Sequence, residues 1–85
     1  MKHQYHSGSD SARKEATKVK ALISELDRRV RLLESDIARE EGVAGVSDPF
    51  NAAYPVLARM MTARRDNLRE TISALSGDLL QKWSG

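Results

Sequence analysis

Eighty-five residues make room for one small domain, because chains of this size bury only about 60% of their unfolded surface, and this argues against a large catalytic cleft. Charged residues make up 31% of the chain and aromatics 5%, the composition of long exposed helices, and one Phe with one Trp cannot centre a conventional core. The 14 basic and 12 acidic side chains alternate, leaving a net charge of +2, which speaks against a one-sided nucleic-acid footprint; with no cysteine there is neither a disulfide framework nor a thiolate metal site.

Residues 1–8 are polar, contain Gly8 and lack periodicity, so they read as a flexible arm. His3 and His6 have the i, i+3 spacing of a helical metal pair, but a site needs three or four ligands and no third is in view. A solvated tail is the expectation, and no cofactor is expected anywhere. The opening has no apolar core of a signal peptide, and nowhere do about 18 apolar residues run together, so a chain without membrane insertion, acting in the cytoplasm, is expected.

Ser9, Asp10 and Ser11 can each cap a helix by offering an oxygen to the free amides of its first turn. Beyond them, Ala12, Ala16, Val19, Ile23, Leu26, Val30, Leu33 and Ile37 alternate spacings of four and three, an unbroken heptad seam that calls for a left-handed supercoil against another helix. Leu22 and Leu32 widen the stripe beyond what one neighbour covers. This helix, over about 10–41, is predicted to stop at Gly42, with Glu40 and Glu41 set unfavourably against its dipole.

The connection is predicted over 42–53. Ser47-Asp48-Pro49 reads as a turn or short helix start with Asp48 as cap. Pro55 suits a first helical turn and pushes Tyr54 out of helical geometry, which starts the second helix near 54. There Ala58, Met61, Arg65, Leu68, Ile72, Leu75 and Leu79 continue the seam to about Trp83, broken once, at Arg65.

An all-α, antiparallel two-helix coiled-coil hairpin follows. Folding about the middle of 42–53 sets Leu33 near Met61, Val30 near Arg65, Leu26 near Leu68 and Ile23 near Ile72, with Glu34 or Asp27 neutralising Arg65. Helices of about 30 residues make rods about 45 Å long with little interior, so the hairpin is expected to associate into a four-helix bundle or to dock on a partner.

Candidate chemistry is sparse. Paired acids such as Asp27 with Glu34, or Glu40 with Glu41, lack a desolvated pocket and nucleophile, and Gly42 and Gly45 lack the context of a phosphate loop. Arg64, Arg65 and Arg69, with Arg59 before them, form the one basic concentration, interrupted by Asp66 and Glu70. Met60 and Met61 read as packing filler. Val43, Val46, Phe50 and Tyr54 cluster at the tip, where apolar residues either fold over the turn or meet a partner; with Asp48, Pro49 and Pro55 they are the candidate partner-binding set.

The run Glu40-Glu41-Gly42-Val43-Ala44-Gly45-Val46-Ser47-Asp48-Pro49, then Ala53-Tyr54-Pro55 and Arg64-Arg65-Asp66-Asn67-Leu68, resembles the flagellar export protein FliJ family in its alphaproteobacterial form, over about Leu22 to Leu80. The chain is shorter than that family, and its first twenty residues differ from the usual basic opening helix. The resemblance implies a coiled coil with no catalytic residue. It would act at the cytoplasmic side of the flagellar base and link the ATPase of type III export to the export gate. Two alternatives stand beside it: a self-assembling structural or regulatory coiled coil, and a small nucleic-acid binder using Arg59, Arg64 and Arg69.

Overall fold

The computed structural model describes residues 2–83, with side chains described over 13–80. It is an antiparallel helical hairpin of α1 (Lys2–Ala44) and α2 (Val56–Trp83), measuring 65 × 18 × 15 Å. At 1.5 Å per residue, the 43 residues of α1 account for the full length, whereas the 28 of α2 reach about 42 Å and line the tip-proximal two-thirds. No described helix is long and apolar enough to cross a membrane.

α1 passes through the segment read as an arm and through Ser9, Asp10 and Ser11, instead of starting there. Once a seam has nucleated a helix, each added residue costs little, so weakly patterned residues can continue it. The side chains of 1–12, His3 and His6 among them, lie outside those described. Among the described residues no group of His, Cys, Asp or Glu is placed to hold a metal.

The stop also differs from expectation. Gly42 is helical, and the left-handed residue is Gly45, at φ +70°. Its N–H donates to the Glu41 carbonyl at 2.8 Å, and the Val46 N–H donates to the same carbonyl at 3.3 Å, which together terminate α1 in a left-handed cap. Of two glycines able to end the helix, the chain uses the later one. α2 begins correspondingly late, with the Pro55 carbonyl accepting its first bond, from Arg59 N–H at 3.1 Å.

At the tip Ile37 meets Ala58, as folding about the middle of 42–53 places them, and Met61 packs against their cluster. Further along, Leu33 shares a surface depression with Arg64 and Leu68. Arg65 meets neither proposed partner: it pairs with Asp66 at 3.0 Å, Asp27 pairs with Arg31 at 2.8 Å, and Glu34 reaches across to Arg69. Being only partly covered, Arg65 keeps its guanidinium at the edge of the seam, where water makes an interhelical counter-ion unnecessary.

Burial is thin. Among the described residues Leu26, Val30, Ile37, Tyr54 and Ala58 are the buried hydrophobic ones, and no large side chain is completely enclosed. Three of the five, Ile37, Tyr54 and Ala58, form one cluster at the tip, with Val46 and Met61 packed against it.

Candidate functional site: the hairpin tip

Backbone chemistry builds the tip from two consecutive turns. Asp48 Oδ1 accepts from the Phe50 N–H at 3.0 Å while its carbonyl accepts from Asn51 N–H at 3.0 Å. Asn51 repeats the device three residues on: its Oδ1 accepts from Ala53 N–H at 2.8 Å and its carbonyl from Tyr54 N–H at 3.0 Å. Short Asp and Asn side chains mimic a backbone carbonyl in this way, and Pro49 pre-sets the first turn by fixing φ. Asp48 thus organises a turn and caps no long helix. Asn51 was missed by the sequence reading, although Asx residues three apart are the signal for such a tandem.

Tyr54 locks the tip to the rod. Only 4% exposed, it seats its ring beside Ile37 and Ala58 and donates its hydroxyl to Glu41 Oε2 at 2.7 Å. Ala58, 0% exposed, is the small residue that allows the ring to sit so close to α2. Glu41, which sequence alone marks as a dipole mismatch, instead accepts the bond that ties the loop to α1. On the other side Arg59 donates to the Pro49 carbonyl at 2.9 Å and lies 5.4 Å from the Tyr54 ring centroid, a cation–π geometry.

The hydrogen bond to the Glu41 carboxylate, then burial, raises the Tyr54 phenol above its ordinary value. The fold therefore favours the neutral phenol: this contribution is complete below about pH 10 and is lost as pH climbs through the raised value. Alkaline unfolding followed by circular dichroism should accordingly begin above about pH 10 and be blunted in Tyr54→Phe. Identical alkaline curves for the two proteins would show that the latch does not hold the tip.

The expected partner-binding residues divide into two groups. Tyr54 and, in part, Val46 and Pro55 fold inward, whereas Val43, Asp48, Pro49 and Phe50 stay exposed, Phe50 at 96%. Val56, Leu57 and Met60, absent from the expected set, extend the exposed apolar surface onto the first turns of α2. They were missed because their spacing resembles an ordinary helix start. Phe50 stands out physically: its own amide is tied to Asp48 and its neighbour's carbonyl to Arg59, so a bare aromatic ring is displayed on a fixed turn.

The basic patch does not assemble. Arg59, Arg64 and Arg69 are five residues apart, so they fan out by roughly 140° per step around α2. Arg59 braces the loop, Arg69 pairs with Glu34, and Arg64 lines the depression beside Asp36. Compared with family models, curated proteins and solved structures, the chain matches none of them.

Proposed function

We propose that this chain is an interaction module of flagellar type III export, of the FliJ kind. It self-associates through its helices and engages the export ATPase or the export gate through the hairpin tip, in the cytoplasm at the flagellar base. It performs no catalysis and needs no cofactor or nucleic acid.

The observation that carries this reading is Phe50, 96% exposed on a turn held by hydrogen bonds to Asp48 and Asn51 and from Arg59. An aromatic carried on a backbone that is already held loses only its own side-chain freedom on docking, which suits an interface anchor. A second fact supports the family element of the proposal. The residues carrying the resemblance, Glu41, Gly45, Asp48, Pro49, Tyr54 and Pro55, are those that cap, turn and latch the tip. The resembling segment is therefore a working structural unit.

Deleting the chain from its host should abolish swimming while early basal-body structures still form; normal motility in the deletion strain overturns the proposal. Within the protein, Phe50→Ala should leave stability within about 0.5 kcal/mol of the parent, since the ring contacts solvent. The same change should fail to restore motility to the deletion strain, and full restoration would remove Phe50 from the interface.

A further inference from the structure

The two faces of the hairpin differ. On one, Arg69 of α2 bridges to Glu34 of α1 and closes the groove with charge. The other holds the open depression lined by Arg29, Leu32, Leu33, Asp36, Arg64 and Leu68. Helical spacing places further exposed apolar residues on this same side: Leu22 and Val43 share the flank of Arg29 and Asp36 on α1, and Leu57 and Met60 precede Arg64 on α2 by seven and four positions. Five of the eight exposed large hydrophobic residues described, Leu22, Leu32, Val43, Leu57 and Met60, thus lie along one long face.

We propose that a second copy of this chain packs on that face in antiparallel sense, tip beside open end, to form a four-helix bundle. Area supports a copy as the occupant. The accessible surface is 6535 Å², against about 5,000 Å² for a compact monomer of this mass. A face about 42 Å long and 18 Å wide offers roughly 750 Å² per chain, close to the ~800 Å² per partner of a standard stable interface. Of the charges beside the apolar residues, Arg29 pairs with Glu25 and Asp36 with Arg39 within α1, so two of the three bring their own counter-ions to an interface between copies.

Charge along the rod selects the direction. Residues 40–60 carry Glu40, Glu41 and Asp48 against Arg59 alone, whereas residues 13–20 carry Arg13, Lys14, Lys18 and Lys20 against Glu15 alone. Side by side with tips together, two hairpins would set acid on acid and base on base. The antiparallel arrangement opposes unlike charges and leaves one Phe50 at each end of the bundle. This inference rests on the self-association part of the proposed function and on nothing concerning export.

Light scattering of the full chain, with electron–electron distances from a spin label at Ser47→Cys, tests both parts; the absence of other cysteines makes the label unique. Expected are a mass twice the 9.5 kDa of one chain and labels at least about 40 Å apart, the span of α2. Leu32→Asp or Met60→Asp should weaken association at least tenfold, while Ser73→Asp, on the flank of Arg69, should not. A 9.5 kDa species up to near-millimolar concentration overturns self-association itself. A dimer with its labels within about 25 Å overturns the antiparallel arrangement alone, since parallel neighbours sit 8–10 Å apart.

Discussion

Ile37→Ala should lose about 2–4 kcal/mol of stability, the cost of emptying a buried aliphatic site that relaxes only in part. Ile37 meets Tyr54 and Ala58, with Met61 packed against them, so its removal undermines the cluster that fastens the loop to both helices. A domain of this size has on the order of 4–13 kcal/mol in total, and the loss is a large share of that. Urea unfolding should show a lower midpoint with little change in slope. The same truncation at Leu33, which is only partly buried, should cost less. Equal losses at the two sites would show that the seam, and not the tip cluster, carries the fold.

Glycine exchanges at the end of α1 should have opposite signs although the residues are three apart. Gly45 sits at φ +70°, where an L side chain crowds the following carbonyl, so Gly45→Ala should destabilise by roughly 1–2 kcal/mol. Gly42 is helical, and a Cβ added there meets nothing within 4 Å. Gly42→Ala should therefore stabilise by about 0.5–1 kcal/mol through reduced freedom of the unfolded chain. Thermal melts of both variants decide the matter. Destabilisation by Gly42→Ala with tolerance of Gly45→Ala would return the helix stop to Gly42 and restore the shorter first helix.

The contrast between those glycines shows what sequence can and cannot reveal here. The heptad spacing of Ile23, Leu26, Val30, Leu33 and Ile37 is a local, repetitive signal, and the all-α hairpin was legible from it. The end of the first helix was not, because it depends on which of two competent glycines adopts the left-handed conformation, and Gly45 does so in place of Gly42. The partners of Arg65 were not legible either. Its expected counter-ions, Glu34 and Asp27, are held by Arg69 and Arg31, so the charge marker of register is the Arg69–Glu34 bridge.

At the tip, composition identified the apolar cluster but not which members point inward. Tyr54 and Phe50 are both aromatic loop residues four positions apart, yet one is buried and one bare. The difference arises from the tandem turns at Asp48 and Asn51, each of which redirects the chain, and from the Glu41 carboxylate that receives the Tyr54 hydroxyl. Those are non-local partnerships, invisible to periodicity. The resemblance to FliJ proteins drew on the same stretch, and the geometry gives those residues definite structural work.

The central claim, that the tip is a preorganised docking element, is tested most directly by a binding titration. The full chain and its Phe50→Asp variant would be titrated against a purified flagellar export ATPase and against the cytoplasmic domain of the export gate. The expected result is that the unaltered chain binds one of them and that the variant binds at least tenfold more weakly while melting at the same temperature. Failure of the unaltered chain to bind either protein, or equal affinity for the variant, would contradict the account.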